Sequence, residues 1–147
     1  MMRLKSSETK RLEFDMDLEA KWIVGYVENS ADFFVDLREN EKVFVEFSIT
    51  QSMRDVQVLY ALKTYFGCGT VRKNGPDKVV YKVRNLEHLT KIIIPFFEKH
   101  QLKTKKGIEF QKFRKILLKM KNDASQPPEI YEEIRTLKEQ LSVFKLR

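Results

Sequence analysis

The chain has 147 residues, 42% of them hydrophobic, and its 28 Lys and Arg against 21 Asp and Glu give a formal charge of +7. That length suits a single domain, and that apolar fraction fills a core without disulfides or a structural metal. A lone cysteine, Cys68, excludes an internal disulfide and a Cys-based zinc cluster. No apolar run approaches the roughly 20 residues of a membrane helix, and the basic balance points to nucleic acid ahead of an acidic protein or a membrane surface.

Residues 1–16 start basic and turn acidic, a poor secretory signal and a weak transit peptide, and are assigned as an N-terminal extension. From 17 to 27, DLEAKWIVGYV is apolar beyond what a surface helix needs, and predicts a mostly buried helix capped by Asp17. FFVDL and KVFVEFSIT are β-branched and aromatic runs around the polar turn RENEK, which predicts a hairpin of short strands.

SMRDVQVLYALKTYFG repeats apolar residues at helical spacing and stops at Gly67. CGTVRK and KVVYKVR alternate around Asn74-Gly75-Pro76, a second hairpin. Asn85 caps the next helix, which Pro95 ends or kinks. The stretch 103–121 is an amphipathic helix with one cationic face, and after the linker NDASQPP a terminal helix follows as a lid or docking element. The order αββαββα, with an antiparallel sheet and extra C-terminal helices, is an α+β fold. Its domain spans 17–121, with linker and terminal helix at 122–147.

In such a sheet Lys78, Val80, Lys82 and Arg84 share one face, while Tyr81 and Val83 point into the core. Trp22, Tyr26, Phe33, Phe34, Phe96 and Phe97 are expected in the core too. His88 and His100 lack metal-ligand spacing, and no P-loop, dinucleotide-binding glycine pattern or nucleophile elbow is present. The basic residues offered to a polyanion are Arg72, Lys73, Lys78, Lys82, Arg84, Lys103, Lys105 and Lys106.

WIVGYVENSADFF, FSITQSMRDVQVLYALKTYFGCGTV, VRNLEHLTKIIIPFFEKHQL and KKGIEFQKF resemble, in order and spacing, segments of the organellar LAGLIDADG homing endonucleases. The resemblance implies their fold, and a signature helix ending in an acid that holds a divalent metal at the scissile phosphate. It also implies two such helices packed side by side, from a homodimer or from tandem repeats. Glu28 matches the first acidic position of the motif, but Ser30 stands where the metal-binding carboxylate belongs, Ala31 where glycine is usual, and Asp32 where a small hydroxyl residue is common. By the same resemblance Gln51 matches a polar residue that organises active-site water. Lys105, or Lys103 in an alternative alignment, matches a basic residue near the phosphate.

A serine hydroxyl supplies neither the charge nor the strong oxygen ligand that a hard cation requires. The sequence therefore implies the fold without the chemistry: no metal, no other cofactor, and a basic surface that binds structured RNA or a ribonucleoprotein, such as an organellar ribosome or intron. The alternative is a Mg²⁺-dependent site-specific DNA endonuclease, a symmetric dimer with Glu28 or Asp32 as displaced ligand. A third reading is a protein-interaction subunit. Val24, Gly25 and Ala31 are the residues expected to let helices pack closely in a homodimer, and the resemblance implies a mitochondrial or chloroplast address, with the cytoplasm otherwise.

Overall fold

The computed structural model describes residues 18–38, 42–122 and 128–145. Helix α1 (Ala20–Ser30) leads into strand β1 (Ala31–Arg38), which pairs antiparallel with β2 (Lys42–Ser52). The expected cap Asp17 and the centre of the first hairpin's turn lie outside the described residues. At 8 and 11 residues these strands are not short, because alternation simply continues past the segments that read as strand.

A single 3₁₀ turn (Met53–Asp55), with the Ser52 hydroxyl accepting from Arg54 N–H, opens helix α2 (Val56–Phe66). Gly67 closes it at φ +71°, as the glycine predicts. Strands β3 (Thr70–Lys73) and β4 (Lys78–Val83) form the second hairpin, with Gly75 at φ +90° in the expected turn. The four antiparallel strands run β1-β2-β4-β3.

Asn85 caps helix α3 (Leu86–His88) by accepting from His88 N–H at 3.0 Å. The chain then widens into a π-helical turn (Leu89–Ile93) and continues as helix α4 (Ile94–Lys99). Pro95 therefore falls in the first turn of a new α segment, where its missing N–H would have had no partner, so it neither ends nor breaks the run. Helices α5 (Lys105–Asn122) and α6 (Pro128–Lys145) complete the fold.

The described helices pack their buried residues against one face of the sheet. Partner register aligns Phe33 with Phe47, Phe47 with Val83, and Val71 with Tyr81, so these residues share the inner face. Phe33 is fully buried there between Phe47 and Phe113, its centroid 5.3 and 5.2 Å from theirs, with Phe110 at 5.6 Å. Tyr81 and Val83 are buried as expected, as are Phe33 and Phe97. Trp22 and Phe34 are not: they are 45% and 38% exposed, and Tyr26 and Phe96 are half-buried. Helix α1 buries only Ile23 and Val27, which corrects the expectation of a mostly buried helix. Helix α6 is no loose lid, since Tyr131, Ile134 and Leu141 are buried and the last two belong to the main core.

Candidate nucleic-acid interface

The residues opposite the core alternate onto a solvent-facing sheet surface. Its β3–β4 half carries Arg72, Lys78, Lys82 and Arg84, with Val80 in register between the lysines. A cleft of about 400 Å³ at this edge is lined by Arg72, Lys82, Arg84, Asn85 and His88 and by no carboxylate. Lys73 aligns with Val79 and so stands on the inner-face register, at the exposed end of its strand.

The β1–β2 half differs. Glu46 is buried and accepts a 2.6 Å bond from Arg84 Nε, so one edge of that guanidinium is already engaged. Phe44 lies beneath two guanidiniums, Arg38 at 4.2 Å and Arg84 at 5.2 Å, with Phe34 edge-on at 6.1 Å. An aromatic and partly acidic surface thus adjoins a basic one. Glu46 stood out little in the sequence: only the register, which sets it beside Arg84, reveals the pair.

Helix α1 runs through Glu28 to Ser30, so the end of the motif is helical and points at the start of α5. Glu28 accepts from the backbone N–H groups of Lys103 at 2.7 Å and Thr104 at 3.0 Å. Both its oxygens thereby face the chain leading into α5, where a carboxylate complements unpaired N–H groups at a helix start. Ser30 Oγ accepts a long 3.4 Å bond from Gln51 Nε2. Ser30 and Gln51, which the resemblance matched separately to active-site positions, are therefore neighbours in space, through the end of β2.

Tyr26 completes this corner. Burial, with the Asp55 charge and against the polar neighbour Gln51, pushes its phenol up to about 12. Its hydroxyl meets no partner in good geometry among the described residues.

Asp32, half-buried, lines a separate cleft of about 470 Å³ with Glu28, Asn29, Lys105, Lys106 and Glu109. Lys106 does not face a polyanion, which corrects its place among the binding lysines. Its side chain is 15% exposed, and its ammonium donates to the Ala31 carbonyl at 2.7 Å and lies 3.4 Å from the buried Glu109. The Lys-x-x-Glu spacing on one helical face was the available signal, since residues three apart are neighbours there. Lys103 and Lys105 are exposed at the start of α5 and do not line the Arg72, Lys82 and Arg84 cleft.

Ala31 is also corrected: it is 6% exposed and belongs to the core, not to the open side of α1. That open side is Lys21, Trp22, Gly25 and Asn29, with Val24 half-buried beside it. An added Cβ at Gly25 would meet nothing within 4 Å.

A divalent metal needs converging oxygen ligands. Among the described residues no three Asp, Glu, His or Cys side chains converge in that way. With Ser30 at the motif end and Glu28 turned to backbone N–H groups, the described residues of a single chain do not by themselves assemble such a donor set.

Comparison with known proteins accounts for the architecture. The family model described as "LAGLIDADG endonuclease" matches residues 23–117. A homing endonuclease of known structure, I-TnaI, is 39% identical, with a TM-score of 0.79 over 88% of this chain and 97% of that one. I-SmaMI, solved bound to uncleaved DNA in the presence of calcium ions, is 27% identical with a TM-score of 0.80, covering 92% of this chain and 52% of that one.

Among curated relatives, Probable intron-encoded endonuclease 2 of Neurospora crassa is 30% identical over 102 residues, 69% of this chain and 22% of that protein. Probable intron-encoded endonuclease Cox1-I1b of Schizosaccharomyces pombe is 28% identical over 84% of this chain and 34% of that protein. The chain thus spans between a fifth and about a third of these two curated relatives' length. On this family match, which covers more than half of the sequence, the chain belongs to the LAGLIDADG endonuclease family.

Proposed function

We propose that this chain is a double-stranded-DNA-binding member of its family that does not itself cut, gripping the duplex across the outer face of its sheet. The observation that carries the reading is Ser30, a neutral hydroxyl bonded to Gln51 where the family's metal-binding acid belongs. Binding is supported by the cluster Arg72, Lys78, Lys82 and Arg84, and by the likeness to I-SmaMI, a protein solved on DNA. The expectation of structured RNA as principal ligand has no such support among the relatives, and duplex DNA takes its place. An intron-encoded origin in a mitochondrial gene fits the relatives' names, and a pair of α1 helices meeting over Gly25 and Trp22 fits a homodimer.

A second reading has its own support: the relatives are named endonucleases, and Glu28, Asp32 and Glu109 line one cleft. In it the native chain is a Mg²⁺-dependent site-specific endonuclease. One experiment separates the two: titrate the protein with duplex DNA and with structured RNA across salt, and incubate a supercoiled plasmid library with Mg²⁺. The expected result is duplex binding that weakens steeply with salt and no cutting. Replacing Arg72 and Lys82 by alanine lowers the salt slope by roughly 0.9 for each phosphate no longer neutralised. Cutting by the native chain establishes the endonuclease, and tighter binding to RNA than to duplex returns the RNA reading.

A further inference from the structure

Helix α5 presents the sheet with one side and solvent with the other. Phe110, Phe113, Ile116 and Leu117 are buried in the core, with Phe110 and Phe113 packing on Phe33. At 100° per residue Ile108, Gln111 and Lys115 project from the opposite side. A cleft of about 610 Å³ opens there between α5 and the segment 101–104. It is lined by Lys103, Lys105, Lys112 and Lys115 and contains no Asp or Glu.

Elsewhere on the helical layer several cations are neutralised: Arg114 pairs with Glu98, Lys119 with Glu133, and Lys91 with Glu87. In the cleft, Lys103, Lys112 and Lys115 form no ion pair among the described residues. Beside them Ile108 is 45% exposed, with Leu102 half-buried behind it. Unneutralised charge around an exposed apolar side chain suits a ligand that carries regular negative charge and flat apolar surface together.

We propose that this cleft binds an unpaired nucleic-acid strand, its phosphates on the lysines and a base on Ile108, as a second site separate from the outer face of the sheet. A duplex hides its bases and offers Ile108 nothing to bury, whereas an unpaired strand presents both features within one nucleotide. Thr104 and Lys105 also line the cleft at Glu28 and Asp32, but Lys112 and Lys115 project from the side of α5 opposite its sheet-packed residues, so a duplex across the outer face of the sheet leaves them open. The site is therefore independent of the duplex reading, and either can fail without the other.

The test measures fluorescence anisotropy of the full chain with labelled oligouridylate, oligodeoxythymidylate and a mixed-sequence duplex, each across salt. Lys112→Gln with Lys115→Gln lowers single-strand affinity and reduces its salt slope by about 1.4, at roughly 0.7 per phosphate on single strands. Ile108→Ser weakens single-strand binding and leaves that slope unchanged. Duplex affinity stays the same in both variants, and their melting curves overlay the native one. A native chain that ignores unpaired strands overturns the proposal, and so do variants that bind them normally or that lose duplex and single strand in parallel. The ratio between the two oligonucleotides identifies RNA or DNA as the strand this site takes.

Discussion

Under the proposed reading, Ser30→Asp is expected to confer Mg²⁺-dependent DNA cutting on the chain. The position is the last residue of α1, half-buried, next to Gln51 at 3.4 Å, and a carboxylate there adds the charged oxygen ligand that the present corner lacks. Metal-assisted stabilisation of developing phosphate charge is worth several kcal/mol, so the gain is roughly a hundredfold or more over the native rate. The measurement is nicking of supercoiled plasmid with Mg²⁺ and with excess chelator. Ser30→Asn, nearly the same shape without charge, serves as control and should stay silent. Native cutting that Ser30→Asp does not enhance would move the chemistry to another carboxylate, and Glu28→Gln and Asp32→Asn would then find it.

Gly69→Ala is expected to be among the most damaging substitutions outside the helices and strands. The glycine sits at φ +90°, and an added Cβ would lie 2.6 Å from Tyr81 Cε1 and 2.8 Å from the Lys82 carbonyl oxygen. Tyr81 is fully buried and its hydroxyl donates to the Cys68 carbonyl at 2.8 Å, so the ring has nowhere to retreat. Left-handed backbone costs an alanine about 1–2 kcal/mol, and overpacking a filled site adds a comparable amount, for a loss near 3 kcal/mol. For a domain of this size that lowers the melting temperature by roughly 6–12 °C. Gly75→Ala is the internal comparison: φ is again +90° but the space around it is open, so only the backbone cost applies. Equal losses at the two glycines would rule out the clash with Tyr81.

Local chemistry explains what was legible in the sequence. Gly67, Asn85 and Asn74-Gly75 act within a few residues of themselves, and the helix stop, the cap and the turn all appear where those residues require them. Alternation in β4 set Lys78 and Lys82 against Tyr81 and Val83 correctly, because a strand has only two faces. The misjudged residues depend on partners distant in sequence. Trp22 and Phe34 are apolar but lie on surfaces that no described part of this chain covers, and hydrophobicity alone cannot say which face another element will occupy.

Lys106 is masked in the same way among its basic neighbours. Its ammonium finds the Ala31 carbonyl 75 positions away. In α6 the buried positions Tyr131, Ile134 and Leu141 are spaced by three and seven, a narrow stripe among charges that still reaches the core. Of the candidate site, the Ser30 substitution was visible from the motif alone. That Ser30 touches Gln51, and that Glu28 is held by Lys103 and Thr104, required the fold.

Trp22 is the only tryptophan in the chain, and it stands half in water on α1, stacked on Tyr26 with ring centroids 4.9 Å apart. The open side of the motif helix therefore carries its own optical probe. Its emission shifts to the blue if a second helix covers Gly25 and expels water from the indole, and stays fixed on dilution if the chain works alone. Unlabelled protein, read at one wavelength over a concentration series, reports whether this surface has a partner.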